Sequence, residues 1–156
     1  MRNAFDVLAQ DHAEVAQMLT QLELDDAKQA TVTDEQRAQR KQLAEQAIIE
    51  QTRHEAFEET YFWPAVREHM PDGEDMADTA ISQKQDGGEV LDELGKLDAG
   101  TPEFEALLAE FIRVGRIHIA YEENHVWPGL RGALTEEQLN DLGSRLQAGK
   151  NKEKHA

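Results

Sequence analysis

Apolar residues along this chain recur at three- and four-residue steps, the period of one helix face, and alternation typical of strands is absent. Phe5, Leu8, Val15, Leu19 and Leu22 form the first such stripe, with His12 on it, and predict a helix from about Asn3 to Leu22 with Asn3 as its N-cap. The polar stretch from Asp25 to Thr33 breaks the pattern and reads as a connection. Thr33-Asp34-Glu35-Gln36 fits a capping box, and the second stripe runs from there through Leu43, Ala47, Gln51, His54, Glu58, Tyr61 and Ala65. Pro64 should kink that helix, because it lacks an N–H and crowds the preceding turn. Met70-Pro71-Asp72-Gly73 marks the turn out.

A third stripe, Ile81, Gln85, Gly88 and Leu91, is weaker, since Gly87 and Gly88 each cost about 1 kcal/mol relative to alanine in a helix interior. A glycine pair there points to close packing or to room for another group. Asp98-Ala99-Gly100 ends this helix, and Thr101-Pro102 opens a fourth carrying Phe104, Leu107, Leu108, Phe111, Gly115, His118 and Glu122 on one face. Thr135-Glu136-Glu137-Gln138 caps a short fifth helix ending near Gln147. The pattern predicts an all-α, up-down-up-down four-helix bundle over residues 1–147, followed by a disordered tail over 148–156.

One segment occurs twice. His54-Glu55-Ala56-Phe57-Glu58-Glu59-Thr60-Tyr61-Phe62-Trp63-Pro64 returns as His118-Ile119-Ala120-Tyr121-Glu122-Glu123-Asn124-His125-Val126-Trp127-Pro128, with Arg67 and Arg131 following at matched places. The shared core is His-x-x-x-Glu, which on a helix stacks an imidazole and a carboxylate on one face. Two such faces turned toward each other form a cage for metal ions.

Composition narrows the chemistry. The formal charge is −16, which argues against nucleic-acid and anionic-membrane partners. With no cysteine, thiolate zinc, iron–sulfur clusters and disulfides are excluded. No apolar run approaches the roughly 20 residues that span a bilayer, and Asp6 and Asp11 interrupt any signal-like segment, so the cytoplasm is the expected compartment.

Imidazole nitrogen with carboxylate oxygen suits iron, manganese or zinc. The two motifs supply two carboxylates able to bridge a pair of metals, and His12 supplies a third nitrogen. Any one of these residues alone reads as an ordinary polar side chain, but ionised carboxylates recurring in one context on a core face are costly without a partner. His69 and His155 read as solvated, and Trp63 and Trp127 as packing residues. Phe57 and Tyr121, each just before a motif glutamate, should pack beside the site.

The combination of Asp11-His12 with Val15, Met18 and Leu19, and of two His-x-x-x-Glu motifs each followed by an aromatic–proline pair, resembles the hemerythrin-like (HHE cation-binding) family over about residues 3 to 130. The resemblance implies that His12 and His54 bind one iron and His118 the other, with Glu58 and Glu122 bridging. It also implies that oxygen, nitric oxide or hydrogen peroxide meets the metals, and Glu55 stands where some members have a further ligand. A third-helix histidine of the family is missing. Gln85, between Lys84 and Asp86, stands in its place, and no histidine lies between His69 and His118. The two metal positions should therefore be unequal.

Tyr61 and His125, seven residues beyond the motif histidines, fall on the same ideal helix face and are candidates to replace the lost ligand or to donate protons, as is Glu89, one turn past Gln85. Fewer nitrogen ligands than an oxygen carrier needs favour a catalase- or peroxidase-like di-iron oxidoreductase acting on hydrogen peroxide or nitric oxide. The competing reading is reversible binding or sensing of oxygen, nitric oxide or iron without turnover, with metal-free interaction modules a third class.

Overall fold

A computed structural model of the chain describes residues 2–24 and 33–154. The connection expected after Asp25 and the terminal His155 lie outside them. All regular structure among the described residues is helical: α1 (Ala4–Leu24), α2 (Asp34–Tyr61), α3 (Trp63–His69), α4 (Gly73–Gln83), α5 (Gly87–Gly95), α6 (Pro102–Tyr121), a π turn (Glu122–Val126), α7 (Trp127–Ala133) and α8 (Glu136–Lys154).

Helix starts follow the side-chain chemistry. Asn3 Oδ1 accepts from the Asp6 amide at 3.0 Å and the Asp6 carboxylate accepts from the Asn3 amide at 3.0 Å. Thr33 and Gln36 cap α2 reciprocally at 3.1 and 2.9 Å, and Thr135 and Gln138 repeat the arrangement at α8, also at 3.1 and 2.9 Å. The two copies of the duplicated segment break at the same place. Phe62 (φ −100°, ψ −56°) precedes α3 and Val126 (φ −105°, ψ −53°) precedes α7, each just ahead of a tryptophan–proline pair.

The chain divides into two compact units. The first comprises residues up to Ala13, Arg53–Lys84 and everything from Ile117 on. Its core gathers Phe5, Leu8, Phe57, Phe62, Trp63 and Trp127 with the α8 leucines Leu139, Leu142 and Leu146. Gly143 lets α8 lie against the start of α1, where a β-carbon would stand 2.5 Å from the Asn3 carbonyl carbon. The second unit comprises Glu14–Thr52 and Gln85–Arg116. Val15, Leu19, Ile48, Leu94, Phe104 and Leu108 are buried there. Buried Arg40 donates to the Leu22 carbonyl at 2.8 Å and to Glu105 at 3.1 Å, so its charge is met rather than stranded.

Two expectations are corrected. The third predicted helix is interrupted at residues 84–86, because Asp86 turns extended (φ −72°, ψ 103°) and caps α5 by accepting from the Glu89 amide. The buried face of α5 is Val90 and Leu94, whereas Gly88 and Ile81 of the expected stripe are exposed. Gly87 does mark close packing, since Thr52 occupies the space a side chain would need. The C-terminal helix continues past Gln147 to Lys154, and Gly149 and Lys150 are buried rather than part of a loose tail. The glycine permits this, for any β-carbon at 149 would overlap the Tyr61 ring.

Candidate metal centre

Five buried histidines and glutamates of the first unit come from three chain segments. His12 comes from α1, His54 and Glu58 from α2, His118 from α6, and Glu122 from the start of the π turn. Helical spacing pairs each motif internally, with His54 Nε2 at 2.7 Å from Glu58 Oε1 and His118 Nε2 at 3.0 Å from Glu122 Oε2. His12 Nε2 reaches Glu122 Oε1 at 3.5 Å. One ligand atom from each of His12, His54, Glu58 and Glu122 lies within 4.8 Å of every other. His118 stands outside that group of four and touches it through Glu122.

The donor set fits a metal. Nε2 of all three histidines and both oxygens of both glutamates are buried without a well-formed hydrogen bond, as is His118 Nδ1. Such atoms are expensive to bury unless something else completes them, and a divalent cation could take one ligand atom from each of His12, His54, Glu58 and Glu122. Two of the imidazoles are also turned outward-in by carboxylates: His54 Nδ1 hydrogen-bonds Asp11, and His12 Nδ1 lies 3.2 Å from Glu123 Oε1. Each carboxylate fixes the ring and leaves Nε2 for the metal. The His12 ring stacks on Trp127 at 5.0 Å, and His54 has Phe57 at 6.3 Å. Trp127 and Trp63 thus act as packing residues.

Electrostatics divide the two glutamates. Burial raises Glu58, and the neighbouring Glu122 charge adds to that, so Glu58 stays protonated well above the usual carboxylate range. Glu122 is held well below it despite burial, by Glu58, His118 and His12. The pair therefore shares one proton in the metal-free protein. Burial lowers His54, but the charge of Glu58 and the contact with Asp11 outweigh it and raise the imidazole well above its ordinary value. Burial likewise pushes Asp11 up, yet His54 and Lys150 hold it down at about 2.

These shifts set the pH dependence of the metal-free protein. His54 is raised, so its contribution is complete below the unfolded value of 6.5 and is lost as pH climbs through the folded value. Asp11 is lowered, so its contribution holds above 3.8 and fades as pH falls toward 2. Metal-free stability should fall on the alkaline side of 6.5, while metal affinity rises over the same window because binding displaces those protons. Melting curves and metal titrations at several pH values check this; parallel slopes would contradict it.

The other candidate residues lie elsewhere. His125 is exposed and faces Tyr121, 5.6 Å away. The π turn is the reason, since it takes up about one extra residue and rotates everything after Glu122 off the α-helical face. Tyr61 is half-buried, packed on Phe57 at 5.7 Å and over Gly149. Gln85 sits half-buried in the break before α5, and Glu89 is exposed in its first turn. None of the four joins the group that could hold a metal. Glu55 and Glu59, with Lys84 and Trp63, instead line a narrow crevice that reaches His118, and Lys84 is ion-paired to Glu59.

Comparison with known proteins agrees with this geometry. The family described as Hemerythrin HHE cation binding domain matches residues 3–130. The chain belongs to that family. No curated protein matches the sequence. A crystal structure of a hemerythrin HHE cation-binding domain-containing protein from Mycobacterium kansasii is similar in fold, with TM-score 0.74 and 20% identity over 98% of this chain and 88% of that one. The fold is thus the hemerythrin-like helical bundle of a cation-binding domain family, and the His and Glu cluster could hold a metal ion.

Three site residues were not visible as such in the sequence. Asp11 and Glu123 read only as neighbours of motif residues, although an acidic residue beside a ligand is the signal that could have found them. Lys150 lies on the continued Leu139–Leu142–Leu146 stripe, where a charged residue needs a counter-ion, and it lies beyond the family match.

Proposed function

We propose that this hemerythrin-like domain holds two iron ions and acts on hydrogen peroxide as a catalase- or peroxidase-like oxidoreductase, with nitric oxide the other small ligand suited to the centre. Manganese or zinc would fit the same donor set. The observation that supports the reading is the unequal distribution of the donors over two proposed metal positions. His12, His54, Glu58 and Glu122 converge on one, whereas the other has His118 with the carboxylate edges and opens toward the crevice. A position short of ligands leaves room for an exogenous one, which a reversible carrier must instead protect. The metals would supply Lewis acidity and redox cycling.

Disproportionation balances without an outside reductant: one peroxide gives up two electrons and two protons and becomes dioxygen, and a second takes them and becomes two waters. The chain's part is to exclude water around the site with Phe57, Trp63 and Trp127, all buried, and to bring protons through the crevice. We assign that role to Glu55, Glu59 and Lys84, which line the crevice, in preference to Tyr61 and His125. Oxygen evolution from hydrogen peroxide, per iron bound, tests the proposal. Turnover far above that of free iron, lost in Glu122→Gln, is expected. A rate no higher than free iron's, together with reversible oxygen binding, would make the protein a carrier or sensor.

A further inference from the structure

The stripe that docks α8 does not end in a hydrophobic residue. After Leu139, Leu142 and Leu146, the same face continues through Gly149 to Lys150, whose side chain is only 11% exposed. A buried ammonium is costly without a counter-charge, and Lys150 meets the carboxylate of Asp11, with Nζ 3.2 Å from Oδ1. The other oxygen of that carboxylate, Oδ2, takes the Nδ1 contact of His54. Asp11 is thus shared between the last turns of α8 and a metal-binding imidazole. His12 is oriented differently, because its carboxylate, Glu123, is 42% exposed and reaches it from the π turn.

We propose that Lys150 is a positioning residue of the metal centre. By fixing Asp11 it fixes the ring of His54, so that seating of the end of α8 and retention of the metal become one event. The proposal rests on the reading of the cluster as a metal site. Gly149 enforces the register, since its missing side chain lets the helix close onto Tyr61 and brings the next residue to Asp11. Metal bound through His54 should then slow opening of α8, and undocking of α8 should speed metal loss.

The test compares wild-type protein with Lys150→Met, which keeps the packed stem, Lys150→Arg, which keeps the charge, and Glu123→Gln. Cobalt(II) serves as the probe, with release into a chelator as the readout. Loss of an orienting partner costs about 10- to 100-fold in metal affinity, so about tenfold faster release is expected for Lys150→Met, with Lys150→Arg close to wild type. In metal-free protein, the imidazole nitrogen resonances of His54 should move in Lys150→Met while those of His12 stay, and Glu123→Gln should do the reverse. Unchanged release and an unmoved His54 in Lys150→Met would overturn the proposal, even if that variant melts lower. Amide exchange in the wild type gives an answer independent of any variant, because equal exchange at residues 147–152 with and without cobalt would also overturn it. If wild-type protein binds no cobalt or iron(II) at all, the metal reading itself fails.

Discussion

Glu122→Gln should strip the protein of metal while leaving it folded. Glu122 is fully buried, with Oε1 at 3.5 Å from His12 Nε2 and Oε2 at 3.0 Å from His118 Nε2, so it touches a candidate ligand on either side. An amide of the same shape fills the same space but carries no charge and is a weak ligand. Losing merely an orienting carboxylate costs up to about 100-fold in affinity, so losing this one should cost at least that. Metal-free stability should change little, because the substitution also removes one member of a buried carboxylate pair. Metal content after desalting and a melting curve of the metal-free variant measure the two halves of the expectation. Glu123→Gln, which touches His12 alone from an exposed position, is the control and should lose far less. Wild-type metal content in Glu122→Gln would remove that carboxylate from the centre.

The second large effect is thermal. The candidate ligands come from α1, α2 and the π turn, so an ion bound there would cross-link segments far apart in sequence. Binding at about 1,000 times the dissociation constant stabilises the folded state by about 4.1 kcal/mol. For a chain of 156 residues each kcal/mol is worth about 2–4 °C, which gives a rise of about 8–16 °C in melting temperature. Chelation should reverse it. A melting temperature that ignores both metal and chelator would mean the cluster is a structural relic, the third class considered from sequence.

Much of this was legible in the sequence because the decisive signals are local. The caps at Asn3, Thr33 and Thr135 follow from side chains that reach their own backbone. The duplicated His-x-x-x-Glu carries its geometry in its spacing, and each tryptophan–proline pair announces its break. What escaped depends on features that leave little trace in composition. The π turn at Glu122–Val126 shifts His125 out of phase, yet its residues would pass for ordinary helix. Asp86 chose to cap a new helix rather than continue an old one, a competition between two local options that periodicity does not rank. Lys150 looked like part of a solvated tail, because only a partner distant in sequence makes its burial tolerable.

The stacking of Trp127 on His12 has a practical corollary. An indole stacked on a candidate liganding imidazole is a built-in fluorophore for that side of the cluster, whereas Trp63 rests edge-on against Phe62. Emission from the unlabelled protein should therefore report whether an added ion reaches the α1 histidine, with no dye or engineered probe.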